Sequence, residues 1–303
     1  MWFYSAPYHR RRIGKLTAIA KPALNVAVII PTFNRRDKLA RALKSVVAQT
    51  QPADEIIVID DGSSDDTNQF ISSSFPQVHY IYQQNRGVSA ARNTGIKACS
   101  ADWIALLDSD DEWLANKLAQ QFSALVKNPD YKIAHSNEIW IRNGKRVNQM
   151  DKHRKTGGWI FKNCLPLCAI SPSSVIIHRE LFGQIGLFDE SLPACEDYDL
   201  WLRICSQHPV LYSDEALIIK HGGHEDQLSR KYWGMDRFRI QALDKLLTSS
   251  PLSDTQRDDA SQMLLQKCKV YLNGARKRNK LDEVARYEAL VNRYTLNANL
   301  PKQ

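Results

Sequence analysis

From Val26 to Val126 the chain repeats one unit, a short apolar run followed by residues at helical apolar spacing. Val26–Ile30 is wholly apolar and stops at Pro31, as a central strand buried on both faces does before a loop. Arg35–Gln49 then sets Leu39, Leu43, Val46 and Val47 along one helical face. The alternation continues as strand Ile56–Ile59, helix Asp65–Ser73, strand Val78–Tyr82, helix Val88–Ala98, strand Trp103–Leu107 and helix Asn116–Val126. Strands joined through helices run parallel, so the pattern predicts an α/β domain with a Rossmann-like, mostly parallel sheet and helices on both faces. Neither GxGxxG nor GxxxxGK[ST] follows the first strand, which counts against a dinucleotide or P-loop site.

After Asp130 the rhythm changes. Ile133–Ile141, Trp159–Leu165 and Ser174–His178 read as strands among irregular loops, with a turn over Arg142–Lys145 built on Asn143-Gly144. A helix over Asp197–Gln207 and a last strand over Ala216–Lys220 complete a mixed extension of the sheet. From about Leu228 the spacing is helical throughout, with Asp254 as a start and Gly274 as a stop, predicting two or three helices. The organisation expected is a basic arm over 1–24, a main domain over 25–227 divided near residue 129, and a C-terminal helical appendage over 228–303.

Charge is distributed unevenly along the 303 residues. The net +8 arises at the ends: residues 1–36 carry seven basic and no acidic side chains, residues 230–303 carry fifteen and eight, and residues 37–229 carry nineteen and twenty-five. A nucleic-acid groove concentrates Lys and Arg on the functional body, so this layout argues against nucleic acid as partner and for a carboxylate-rich core with cationic flanks. The six cysteines form no CxxC pairs, and the start, Met1-Trp2-Phe3-Tyr4 before Arg10-Arg11-Arg12, has the reverse order of an export signal. Cys164 and Cys168, four apart, lack a second ligand pair and read as buried thiols rather than a zinc site. No apolar run approaches the roughly 20 residues that span a bilayer. The expectation is a cytoplasmic protein, soluble or peripheral at the inner face of the membrane. Trp2, Phe3, Tyr4 and Tyr8 beside Arg10–Arg12 make an anionic membrane surface a candidate partner of the arm, against the plainer reading of a solvated tail.

Ligands of an open parallel sheet bind beyond the carboxyl ends of its strands. Three of the first four strands end in polar sequence: Pro31-Thr32-Phe33-Asn34, Asp60-Asp61-Gly62-Ser63 and Asp108-Ser109-Asp110-Asp111. Carboxylates gathered there need a cation or hydrogen-bond donors, and oxygen-rich sites suit Mg²⁺ or Mn²⁺, with Asp110 bridging an ion to a diphosphate. Asp65 and Asp66 read as helix-opening carboxylates instead.

These segments, in this order, resemble the inverting family 2 glycosyltransferases of the GT-A fold. The resemblance rests on Val-Ile-Ile-Pro-Thr-Phe-Asn-Arg at 28–35, Ile-Asp-Asp-Gly-Ser-Ser-Asp-Asp-Thr at 59–67, Gln-Asn-Arg-Gly-Val-Ser-Ala-Ala-Arg-Asn-Thr-Gly at 84–95, Leu-Asp-Ser-Asp-Asp at 107–111, Gly-Leu-Phe-Asp-Glu at 186–190 and Glu-Asp-Tyr-Asp-Leu-Trp-Leu-Arg at 196–203. It implies a nucleotide-sugar half over 25–129 and an acceptor half over 130–227. It further implies that Pro31, Thr32, Asp60 and Asp61 hold the base and ribose and that Asn85 and Arg92 line the nucleotide pocket. Asp108, Ser109 and Asp110 form the DxD motif, binding ribose and the metal–diphosphate. Asp197 matches the catalytic base, Glu196 caps its helix or meets the acceptor, and His221 matches a histidine near the metal.

Gly87 and Gly95 read as backbone-fitting positions, Arg86 as exposed, Trp201 as core, Lys220 and His224 as weaker site candidates, and Arg203 as a partner for an acidic neighbour. The function implied is metal-dependent transfer of a sugar from a nucleotide diphosphate, most often UDP, to a saccharide or lipid-linked acceptor in envelope polysaccharide synthesis. Two alternatives stay open: a non-catalytic nucleotide- or carbohydrate-binding scaffold of this fold, and a nucleotidyltransferase. The oligomeric state is not readable.

Overall fold

The computed structural model describes residues 24–223 and 232–298; the basic arm and His224 lie outside the described residues. Its nine strands form one sheet. In chain order the elements are β1 (Val26–Thr32), α1 (Arg36–Val47), β2 (Glu55–Asp60), α2 (Thr67–Ser74), β3 (His79–Tyr82), α3 (Val88–Ala98), β4 (Trp103–Leu106), β5 (Glu112–Trp113) and α4 (Lys117–Lys127). Then follow β6 (Ile133–Arg142), β7 (Lys145–Val147), α5 (Phe161–Cys164), β8 (Ile176–His178), α6 (Arg179–Ile185), α7 (Glu196–Cys205), β9 (Leu211–Gly222), α8 (Asp236–Ser249), α9 (Asp254–Lys277) and α10 (Leu281–Ala298).

The strand order is β3-β2-β1-β4-β8-β6-β9-β5, with β7 paired to β6. β3, β2, β1 and β4 are mutually parallel, β8 is antiparallel to both β4 and β6, and β9 runs parallel to β6. β4 and β5 are four strand spacings apart in this order, about 19 Å if the sheet were flat. Yet they are joined by residues 107–111 alone, a segment that also turns, Asp111 N–H donating to the Asp108 carbonyl at 3.0 Å. The sheet therefore curls into a half-barrel, and the segment Asp108–Asp111 crosses its mouth.

Alternation along β1 divides the core. Ala27 and Ile29 face the layer that holds α3, α5, α6 and α7, while Val26, Val28 and Ile30 face the layer of α1, α2 and α4. All five are fully buried, each large one stabilising by about 1.5–3 kcal/mol. Phe238, Leu243, Leu246, Leu264 and Tyr271 share the first of these cores with Trp201 and Leu200 of α7. The three C-terminal helices thus continue the main core and back α7.

Three readings are corrected. Trp159–Leu165 is not a strand: Phe161–Cys164 is a short helix, because Ile160, Phe161, Cys164 and Leu165 are buried at helical spacing while Trp159 is 67% exposed. Gly274 does not stop α9, which runs to Lys277; it lies in the helix with open space for a Cβ apart from Arg278, and the chain turns at Asn279 (φ 53°). α2 starts at Thr67 rather than Asp65: Asp65 Oδ1 accepts the Thr67 hydroxyl at 2.5 Å, while Oδ2 reaches across to the Arg36 N–H of α1 at 3.0 Å. Elsewhere boundaries move by a few residues. Pro31 and Thr32 stay in β1, since β1 meets β2 in parallel register (Pro31↔Ile59, Thr32↔Asp60).

Candidate active site

The three polar strand ends meet. Asn34, in left-handed conformation at φ 50°, accepts the Ser64 N–H at 2.7 Å and donates its own N–H to Ser63 Oγ at 2.8 Å, tying the first loop to the second. Arg35 Nη1 lies 3.3 Å from Asp110 Oδ2, and Arg41 donates to the Asp110 carbonyl, tying the third to α1. Pro31 is buried, and the buried Thr32 hydroxyl has no hydrogen-bond partner among the described residues.

Asp60 and Asp61 are both buried, and protein donors engage them. Asp60 accepts Ser63 N–H (2.7 Å) and Tyr80 O–H (2.7 Å). Asp61 accepts Gln83 Nε2 (2.6 Å) and the N–H groups of Arg86 (2.9 Å) and Gly87 (2.8 Å). Those two aspartates shape the loop over 83–87, on which Asn85 is exposed. Gly87 needs its φ of 90° to make that contact. Gly95 brings α3 against the sheet, for a Cβ there would lie 2.5 Å from Ile29 Cγ2. Arg86 pairs at the surface with Glu190.

Arg92 of α3 is almost wholly buried. Its Nη2 lies 2.7 Å from Asp108 Oδ1 and its Nη1 2.7 Å from Glu196 Oε1, with the guanidinium over the Phe188 ring. Asp108 opens the segment across the mouth; Glu196 opens α7. One arginine therefore clamps the two halves together and holds its own proton more firmly than a free guanidinium. The N-cap position of α7 is Cys195, whose side chain makes no capping bond, and the Glu196 carboxylate meets Arg92. Burial first, then the charge of Asp197, pushes its carboxyl up to about 7 although Arg92 opposes the shift.

Asp197, the next residue, is half-buried. Oδ1 accepts the Tyr198 N–H at 2.7 Å, and Oδ2 lies 3.0 Å from the Cys168 thiol, which donates to it. Burial and that carboxylate push the Cys168 thiol well up, so it stays protonated and able to donate. Asp199 faces elsewhere, paired with Arg203 at 2.7 Å and with Lys245 of α8. Trp201 is core.

Below this line Asp111 and Lys220, both named from sequence, join a charge cluster with Glu138, Lys155 and Ser171, which sequence reading missed. Ser173 Oγ donates to Asp111 Oδ2 at 2.6 Å and accepts the Asp108 N–H at 3.1 Å, fixing the segment across the mouth. Lys155 Nζ lies 3.3 Å from Glu138 Oε2, and Lys220 Nζ donates to Ser171 Oγ at 3.1 Å. Burial alone would raise Glu138, but Lys155 and Lys220 hold it down to about 2. Burial and the neighbouring Asp110 raise Asp111 well above the usual carboxylate range, against Lys220. No local signal marks this set, because its members come from residues 111, 138, 155, 171 and 220 and meet only through the β6–β9 pairing.

His221 pairs through Nε2 with Glu112 Oε2 at 3.3 Å, while its backbone N–H donates to Asp111 Oδ1 at 3.0 Å. Burial and Arg41 lower its pKa, against the pull of Glu112. Among those residues, no three His, Cys, Asp or Glu converge to hold an ion alone. Mg²⁺-type ions are commonly held by one or two carboxylates plus substrate phosphates, so Asp108 and Asp110 fit a site that a donor diphosphate completes. Cys164 is buried and free, and Cys168 serves Asp197.

The sequence profile of glycosyl transferase family 2 matches residues 27–183, just over half of the chain. The Escherichia coli UDP-Glc:alpha-D-GlcNAc-diphosphoundecaprenol beta-1,3-glucosyltransferase WfgD is 32% identical over 189 residues, covering 61% of this chain and 71% of that protein. An uncharacterized glycosyltransferase of Rickettsia conorii is 32% identical over 213 residues, 68% of this chain and 35% of the relative, so this chain spans about a third of that relative's length. Among solved structures, Staphylococcus aureus TarS 1–349 in complex with UDP-GlcNAc superposes with a TM-score of 0.63 at 20% identity, covering 80% of this chain and 71% of that one. The half-barrel with its helical layers is the GT-A fold, and the chain belongs to glycosyltransferase family 2.

Proposed function

We propose that this chain is an inverting, metal-dependent glycosyltransferase that moves a sugar from a nucleotide diphosphate, UDP first, to a saccharide or lipid-linked acceptor of the cell envelope. The observation that supports this reading is the clamp of Arg92 between Asp108 and Glu196, which ties the Asp108–Asp110 segment to the start of α7, the helix that carries Asp197. Pro31, Thr32, Asp60, Asp61 and Asn85 frame the base and ribose, Thr32 offering its unpartnered hydroxyl. Asp108, Ser109 and Asp110 receive the diphosphate end; Asp110, with Asp108 and His221, would hold a Mg²⁺ or Mn²⁺, which would supply neutralisation of leaving-group charge.

Asp197 takes the proton of the acceptor hydroxyl as that oxygen attacks the anomeric carbon from the face opposite the departing nucleotide. Cys168 and the Tyr198 N–H hold its two oxygens, fixing the direction from which it accepts that proton. Arg92 keeps α7 in register with the donor segment. Glu196, buried under Arg92, acts through that residue rather than on the acceptor.

The test is a panel of UDP-, GDP- and dTDP-sugars with Mn²⁺ or Mg²⁺, and a short-chain α-GlcNAc-diphospholipid beside simple glycosides as acceptors. Metal-dependent transfer with inverted anomeric configuration supports the proposal. Tight nucleotide binding without turnover on every donor returns the chain to a binding scaffold.

A further inference from the structure

The acidic middle of the chain contains one basic stretch. Between Arg142 and Lys155 stand Arg142, Lys145, Arg146, Lys152, Arg154 and Lys155 against the single acid Asp151. The stretch forms the tight turn from β6 into β7 and the 3₁₀ turn Asp151–His153 behind it. Lys155 turns inward to Glu138. The other five cations are exposed, and none has a carboxylate within ion-pairing distance among the described residues. Some exposed cations elsewhere sit beside acids, as in Arg86–Glu190, Lys162–Asp259 and Arg276–Glu288, but these five stand together within 13 residues. Met150, 58% exposed, lies in the same stretch.

The platform is rigid. Asn143 (φ 50°) and Gly144 (φ 75°) give a two-residue hairpin whose twist matches its strands. Gln149 Nε2 donates to the Glu138 carbonyl at 2.8 Å, His153 packs tilted against Trp140 with ring centroids 5.1 Å apart, and Asn143 N–H donates to the Gly222 carbonyl at 3.2 Å. A patch of like charge is self-repelling, and among the described residues no carboxylate pairs with it. The hairpin continues β6 beyond Glu138, and its base pairs with β9 where Ile141 faces His221, so it stands at the same edge as the Asp108–Asp111 segment.

We propose that this hairpin docks the protein on an anionic bilayer, its five cations on lipid phosphates and Met150 at the interfacial layer. A surface bound there lies beside the acceptor half, where a lipid-linked acceptor's diphosphate would stand. Binding is read without turnover, so the proposal stands or falls apart from the catalytic reading.

The experiment is vesicle flotation of the full chain with phosphatidylcholine vesicles, plain or with about a third phosphatidylglycerol, at low and high salt. The wild type binds the anionic vesicles at low salt and is released by high salt. Each interfacial cation contributes about fivefold, so Lys145→Glu with Arg146→Glu lowers partitioning by more than about 25-fold, while Arg10→Ala, Arg11→Ala and Arg12→Ala together leave a hairpin-dependent component. Wild-type binding by the hairpin variant, or binding lost wholly with the arm arginines, overturns the proposal. Lys145 and Arg146 are exposed, so their substitution leaves the far-UV spectrum and melting unchanged, which separates loss of docking from loss of fold.

Discussion

Replacing Arg92 by Met removes the cation that two carboxylates share and leaves a side chain of similar length in the same space. At about pH 6 Glu196, pushed up to about 7 in the folded protein, already carries a proton for most of the time, so the main loss is the 2.7 Å bond to Asp108, about 2 kcal/mol. Because this carboxyl titrates higher when folded than its ordinary 4.5, the folded state holds a proton that the unfolded state releases. That contribution to stability is complete below the ordinary value and is lost as pH rises through the folded one. Without Arg92, burial and Asp197 act on Glu196 unopposed, its folded value climbs further, and the variant goes on losing stability above pH 7 where the wild type has stopped. At about pH 8.5 the deficit grows to about 4 kcal/mol, the range for breaking a buried pair. Urea unfolding of both proteins at the two pH values measures this. A deficit that is equal at both, or larger at about pH 6, refutes the reasoning.

Three further outcomes follow from the contacts around this clamp. Gly95→Ala puts a methyl 2.5 Å from Ile29 Cγ2 and 2.6 Å from Ile59 Cδ1, so α3 must back away from β1 and β2; thermal unfolding should show a loss of about 2–3 kcal/mol. Cys168→Ala frees Asp197 Oδ2 and should lower kcat about tenfold at unchanged donor KM, whereas Cys168→Ser, which still donates, restores most of it; equal kcat in both variants denies the thiol a positioning role. Lys220→Met leaves Glu138 and Asp111 with less compensation, and chemical denaturation should report a cost of about 3–5 kcal/mol.

What could be read ahead of the structure was what local pattern carries. The β1–α4 alternation, the helix Val88–Ala98 to the residue, the Asn143-Gly144 turn and the start of α9 at Asp254 all follow from period and capping chemistry confined to a few neighbours. The helix Phe161–Cys164 escaped because a single turn, with Lys162 and Asn163 between its two buried residues, is too short to show a period and its core lies far away in sequence. The polar strand ends were legible as a meeting place, since parallel strands share one edge. Their wiring was not: that Asp60 and Asp61 take loop donors, that Arg92 spans Asp108 and Glu196, and that Lys155 and Lys220 converge on Glu138 depend on partners up to 104 residues apart. The net charge likewise concealed the basic hairpin inside an acidic segment.

Asp197→Asn is the most direct test of the whole account, because the amide keeps the shape of the carboxylate, can keep the Tyr198 N–H bond through its oxygen, and cannot take up a proton. With the donor and metal identified by the panel, calorimetric donor binding within about twofold of wild type together with a fall in kcat of about a thousandfold is the predicted result. Transfer at the wild-type rate would contradict it.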